Sequence, residues 1–299
     1  MIPISVRQIE VFVNIAATGS ARTTADRLCV SQPAVSMALA ELERQLGVPL
    51  FERTRGRLHL SSRGKELLPH AQEVVERLQD MLRQAGDQTA TLTGELRLGT
   101  SNTVGNYMVG ELLGPFISQH PQVSLQVSVE NTDAIITGLL EYRLDVGCVE
   151  GPVNHSQLDV LAWRDDALVV CAAPSHPLAQ SPTLTAQHFK AAKWILRERG
   201  SAMRVMTEQA LASLPEGQVV LELGQVEAIK QAVIAGLGIA CLPQAAARDA
   251  VDVGRLTILP TPFLDLRRRL SLVLHRARYR GALIDAFVHS VLPSPLKVD

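Results

Sequence analysis

Apolar residues at Ile9, Phe12, Val13, Ala16 and Ala17 follow a 3.6-residue period and predict a helix over Val6–Thr18. A second set, Leu28, Val35, Leu39, Leu42 and Leu46, leaves Gln32, Ser36 and Arg44 on the opposite side. Cys29, Val30 and Ser31 interrupt that set and predict a tight turn between two short helices, which the small Ala25 allows to cross closely. Ser31 is a good N-cap and Pro33 an early helical residue, so the second helix begins there. An Arg-rich hairpin follows, up to Leu60. From Ser62 to about Gln84, Leu67, Leu68, Ala71, Val74, Val75, Leu78, Met81 and Leu82 recur near heptad spacing, a helix of about 35 Å.

Gly86–Thr93 is a polar, Thr-rich break and the expected hinge between head and body. Beyond it the pattern turns to short apolar runs bounded by Gly or Pro: 95–99, 123–129, 145–150, 168–172, 194–196, 219–223 and 239–242, with a helical stretch at 132–142. Strands interleaved with helices predict an α/β body with largely parallel sheets.

Charge sharpens this division. The chain has 299 residues and a net charge of −1. Its first 65 residues hold nine Lys and Arg against five Asp and Glu, +4, which leaves −5 for the rest. A basic head on an acidic body fits a DNA-binding module joined to a sensor. The four cysteines, at 29, 148, 171 and 241, form no CxxC pair and have no His at metal spacing. They read as reduced, buried, apolar thiols, with a redox switch as the alternative. The N-terminus lacks the apolar core of a signal peptide, and no run of about 18 uncharged apolar residues exists, so a cytoplasmic protein without a membrane span is expected.

Two helices, a tight turn and a hairpin are the layout of a winged helix-turn-helix, whose second helix enters the major groove of duplex DNA. Ser31, Gln32, Pro33 and Ser36 then lie where base edges are reached. Arg53, Arg55 and Arg57 on the wing should meet phosphates or the minor groove. The run Ser31–Ser36, with Leu42–Glu43, Leu46–Gly47, Leu50–Phe51 and Arg53, resembles the LysR-type transcriptional regulators over the whole chain. Cys29 stands where many such turns have Gly, and Ser61–Ser62–Arg63–Gly64 replaces the more usual Thr-x-Ala-Gly.

The resemblance implies a regulator whose promoter binding responds to a small co-inducer. It implies a body like a periplasmic binding protein, with a ligand cleft between two subdomains joined by crossover strands, placed near 163–168 and 265–272. The expected division is a winged helix-turn-helix over 1–61, a linker helix and hinge over 62–92, and an effector domain over 93–299. Within the last, 93–163 and 268–299 form one subdomain and 164–267 the other. From the pattern alone the linker helix either packs within its own chain or pairs with a second copy. The resemblance implies the pairing, hence a dimer and a tetramer on an interrupted palindrome, with RNA polymerase as a further partner.

In the body, Leu98–Thr103, Arg197–Ser201 with Arg204, and Gly224–Glu227 are strand-to-helix junctions with polar residues at the helix start. Free N–H groups and the helix dipole make such junctions natural anion sites, with plain capping as the alternative. The first two correspond to the effector contacts of the family. Thr100, Ser101, Asn102, Arg197, Ser201 and Arg204 are therefore the expected effector residues, with Glu150, Gly151 and Glu227 as further walls. The carboxylates would repel an anion unless paired. Trp194–Ser201 and the segment 227–239 look closest to a branch of the family that senses small sulfur oxyanions such as sulfite, so the expected ligand is a small oxyanion or carboxylate.

Gly236–Leu237–Gly238 lies after a helix and before a strand, the reverse of a dinucleotide-binding turn, and reads as a helix terminus and a close chain approach. No spacing supports a catalytic triad, a paired carboxylate or a metal site, so no catalytic or metal residue is expected. Two rivals remain at this level: a constitutive DNA-binding protein whose body only oligomerises, and a solute-binding or catalytic protein with an incidental helix-turn-helix.

Overall fold

The computed structural model describes residues 3–54, 57–85, 91–181 and 183–292. The chain divides into two compact units, 1–92 with 277–285 and 93–276 with 286–299.

In the first unit, α1 (Val6–Thr18) starts at Ser5, which forms a capping box with Gln8, and ends at Gly19 in the left-handed conformation. α2 (Ala21–Arg27) is capped by Ser20, and α3 (Gln32–Leu46) by Ser31, whose hydroxyl accepts from the Ala34 N–H. The start of the second helix falls where its sequence signals put it. Val11, Phe12, Ile15, Ala25, Val35, Leu39 and Leu42 are buried together with Leu50 and Phe51 of the chain entering the wing. Phe12 and Phe51 meet edge to face at 5.6 Å. Cys29 is exposed at φ 52°, which explains why a glycine suits this turn, and it corrects the expectation of four buried thiols.

The wing is β1 (Phe51–Thr54) antiparallel to β2 (Arg57–Leu60), in the register Arg53 opposite Leu58. Glu43 of α3 accepts from the backbone N–H groups of Leu50 and Phe51, and Leu58 N–H donates to Gly19, fastening the wing at both ends. α4 (Ser62–Ala85) is 24 residues long, about 36 Å. Its Leu67, Leu68 and Ala71 join the head core, whereas Val74, Met81 and Leu82 are exposed. The segment 277–285 packs on this helix: Arg278 donates to Gln72 and Glu76, Tyr279 donates to Asp80, and Arg77 lies 4.3 Å over the Tyr279 ring. Of the expected hinge, 86–90 lies outside the described residues.

The second unit contains β3 (Gly94–Ser101), α5 (Asn102–Tyr107), α6 (Val109–Gln119), β4 (Val123–Glu130), α7 (Thr132–Leu140), β5 (Val146–Glu150) and the long β6 (Leu158–Ala172). β7 (Lys193–Arg197), α8 (Ala202–Leu211), β8 (Gln218–Leu223), α9 (Val226–Ile234), β9 (Ala240–Pro243), α10 (Gln244–Asp252), β10 (Thr257–Ile258) and β11 (Arg267–His275) follow, and α11 (Ala282–Val291) has residues 282–285 in the first unit and the rest in the second.

β3 pairs in parallel with β4 and β5, and β7 with β8. The expectation of largely parallel sheets fails at the connections. β11 is antiparallel to both β5 and β6, and β6 is antiparallel to β9 and β10. The reason lies in β6, which carries two lobes on one strand. Its residues up to Ala167 pair with β11, and from Leu168 on it pairs with β9. Two strands crossing between lobes in opposite directions cannot both run parallel to their neighbours.

The larger core lies in the second lobe, where Phe189, Trp194, Ile195, Val226, Ile229 and Leu242 are buried together. In the first lobe Ile135, Leu139, Val149, Leu158 and Val273 form a cluster of their own.

Candidate functional site

On the head, Ser31, Gln32, Pro33 and Ser36 are all exposed along the first turns of α3, while Val35 beneath them is fully buried. Their neighbour Met37, 72% exposed, belongs to the same surface. Sequence pattern gave no warning of it, because an isolated Met beside a buried Val reads as core. Arg53 and Arg57 occupy β1 and β2, and Arg55 lies outside the described residues. Arg44 is taken up by Glu41 on the same helix.

In the second unit, three chain segments converge at the carboxyl ends of β3, β5 and β7. The first is the turn from β3 into α5. Thr100 is fully buried and donates to the Ser128 carbonyl, and Ser101 caps α5 by accepting from the Val104 N–H. Asn102 and Thr103 follow, both buried. The second is the end of β5. Glu150 accepts from the Thr103 hydroxyl at 3.3 Å, and Gly151 turns the chain at φ 77°. A Cβ on Gly151 would stand 3.1 Å from the Cβ of Ala202, so the end of β5 meets the start of α8.

The third segment is the turn from β7 into α8. Gly200, at φ 86°, accepts from the Asp133 N–H, and Asn131 donates to Glu198. Ser201 is buried at the N-cap of α8, but its hydroxyl makes no capping hydrogen bond. The ten-residue α8 therefore presents the positive end of its dipole beside Gly151.

Arg197, 1% exposed, grips Glu198 through two hydrogen bonds of 2.7 and 2.8 Å. Burial raises the Glu198 carboxyl, but the bonds and charge of Arg197 and the Asn131 amide hold it below the ordinary carboxylate value. Arg204 differs from the expectation of a direct anion contact. Its guanidinium is engaged by Glu208, Glu222 and the Arg197 carbonyl, so it braces the turn instead. Glu227 pairs with Lys230 and accepts from Tyr107 at the end of α5, and a Cβ on Gly224, in the turn before it, would stand 3.9 Å from the Glu198 carboxylate.

Three residues at the convergence were not among the candidates. Arg268 donates to Thr103 at 3.0 Å and to Asp166 at 2.7 Å, and its Nη1 lies 3.7 Å from Glu150. One buried guanidinium thus answers both carboxyl groups, which removes the objection that Glu150 would stand unpaired. A signal existed: in Arg267–Arg268–Arg269, period-two alternation puts Arg268 on the same face as Leu270 and Leu272. A triplet of arginines, taken as a charge run, conceals it.

A helix-turn-helix head with a wing, joined to a two-lobed α/β body whose strand ends converge on a polar cluster, defines a ligand-responsive regulator of transcription. Residues 6–65 match the helix-turn-helix model of bacterial regulatory proteins of the lysR family, and residues 89–294 match the LysR substrate binding domain. The chain belongs to the LysR family of transcriptional regulators. It is 36% identical to the HTH-type transcriptional regulator YeiE of Escherichia coli strain K12, over 95% of this chain and 96% of that one.

Among solved structures it resembles a full-length OxyR variant from Pseudomonas aeruginosa, with a TM-score of 0.78 at 24% identity, over 96% of this chain and 94% of the other. It also resembles the regulatory domain of Synechocystis CcmR in complex with 2-PG, with a TM-score of 0.62 and 27% identity, over 69% of this chain and 99% of that one. The protein is thus a DNA-binding regulator with an effector-binding C-terminal domain, in a family of regulators rather than enzymes. Among the described residues no helix is long and apolar enough to cross a membrane, and no group of three His, Cys, Asp or Glu is poised for a metal ion.

Proposed function

We propose that the effector is a small anion held where β3, β5 and β7 end, by Thr100, Ser101, Asn102, Gly151 and Ser201, with Glu150, Arg197 and Arg204 as supporting walls. The observation that carries this reading is the approach of Gly151 to Ala202, which sets the end of β5 against the dipole of α8. Small oxyanions and carboxylates fit it, and sulfur oxyanions such as sulfite are favoured within them by the Trp194–Ser201 segment. Glu227, already paired with Lys230, would serve as a further wall of the cleft.

The head would read DNA through Ser31, Gln32, Pro33 and Ser36, with Gln32 pairing to adenine and Pro33 and Met37 against thymine methyls. Arg53, Arg55 and Arg57 would contact phosphates or the minor groove. The exposed Val74, Met81 and Leu82 on α4 support pairing of this helix with a second copy. A dimer, and a tetramer built from it, would then address an interrupted palindrome in the cytoplasm and act on RNA polymerase. The same reading divides the chain into a head over 1–61, a linker over 62–92 and an effector domain from 93 on.

Titration calorimetry of the full chain against a panel of oxyanions and carboxylates tests the effector. Binding by at least one member, lost in Ser201→Val, is expected; no binding by any member overturns the anionic reading.

A further inference from the structure

Two buried polar atoms joined through one hydroxyl have no hydrogen-bond partner: Glu150 Oε2 and Arg268 Nη1, whose residues both bond the Thr103 side chain. The Oδ1 of Asn102, the residue before Thr103, has none either, and Glu150, Arg268 and Asn102 are 2%, 5% and 3% exposed. Unpartnered polar atoms inside a protein are costly, so such a group marks where something else supplies the missing bonds. What it must supply is uneven. Arg268 Nη1 requires an acceptor, whereas the Glu150 carboxylate oxygen and the Asn102 amide oxygen each require a donor.

The charge count agrees. Arg268 already faces two carboxyl groups, Glu150 and Asp166, so the cluster has no surplus positive charge for a bare dianion. An aprotic anion would satisfy Arg268 and leave an oxygen against Glu150.

We infer that the effector is an anion that also carries its own O–H or N–H donor, such as a small hydroxy acid, amino acid or hydrogen oxyanion. One of its oxygens accepts from Arg268 while its hydroxyl or amino group donates to Glu150 and Asn102. The inference rests on the anionic reading of the same cleft and narrows it. Discrimination by such a site is steep, because the analogue lacking the donor leaves buried acceptors bare.

Calorimetry of the full chain with matched pairs tests it: glycolate against acetate, lactate against propionate, and hydrogen sulfite against methanesulfonate. The donor-bearing member is expected to bind about tenfold tighter or more in at least one pair. In Glu150→Gln, whose amide can itself donate, that ratio should fall below about threefold. Equal binding within every pair that binds, or a preference for the aprotic member, overturns the inference and leaves the anionic reading standing. Absence of binding by every member overturns both. If Glu150→Gln fails to fold, the wild-type pairs decide alone.

Discussion

Arg268 Nε donates to Asp166 Oδ2 at 2.7 Å, a bond that joins the two strands crossing between the lobes. The Arg268 side chain is fully buried and the Asp166 side chain nearly so. Removing the cation leaves the Glu150 and Asp166 carboxyl groups without the charge that answers both. Arg268→Ala should therefore lower the stability of the effector domain by about 3–5 kcal/mol, read from the denaturant midpoint. A loss below about 1 kcal/mol would show that Glu150 and Asp166 are satisfied without it.

Gly238 and Gly110 should respond to alanine with opposite signs. A Cβ on Gly238 would lie 2.6 Å from the Lys193 carbonyl oxygen, where the chain entering β9 runs beside β7. Gly110, in the first turn of α6 and exposed, has nothing within 4 Å. Gly238→Ala is expected to cost about 1–3 kcal/mol and Gly110→Ala to stabilise by about 0.5–1 kcal/mol. Thermal unfolding of both variants checks the pair. A harmless Gly238→Ala would contradict the reading of this glycine as a close chain approach.

Much of this was legible in the sequence because single residues carry the local signals. Ser31 and Pro33 set the start of α3, Gly19 and Gly47 end their helices in the left-handed conformation, alternation marks β4, and short apolar runs mark β3 and β8. What escaped depends on partners distant in sequence. The antiparallel course of β6 and β11 follows from pairing between residues about a hundred apart. The fastening of Arg278 to Glu76 spans 202 residues, and no local pattern announces it. At the site, the junctions with Thr100–Asn102 and Ser201 were visible as strand-to-helix turns. Arg268 and Asp166 were not, since a buried ion pair looks like two surface charges until the strands carrying them are paired.

Acid should loosen the turn before α8 through Glu198. Its carboxyl titrates below the ordinary value of 4.5 in the folded protein: burial opposes this, but Arg197 and Asn131 outweigh it. A depressed value means that the group's contribution is fully present above 4.5 and is lost as pH falls through the folded value. Glu198→Gln is expected to flatten the decline of stability with pH below about 4.5. Parallel pH curves for variant and wild type would show that the pairing with Arg197 contributes nothing to folding.

The thiols should differ sharply in reactivity. Burial pushes Cys148, Cys171 and Cys241 up to about 12, with Cys241 close enough to Cys171 to add to its rise. Cys29 is exposed in the helix-turn-helix turn. Native thiol titration should modify Cys29 alone, and the other three only after unfolding. Rapid labelling of Cys171 or Cys241 in the folded protein would reopen the redox alternative.

For occupancy of the cleft to change how the head engages DNA, the ligand must bind one arrangement of the protein better than another. Footprinting of the full chain on its operator, with and without an anion that calorimetry shows to bind, tests this most directly. A change in the extent or affinity of protection is expected in the wild type, and none in Ser201→Val. An identical footprint and affinity at saturating ligand would contradict it.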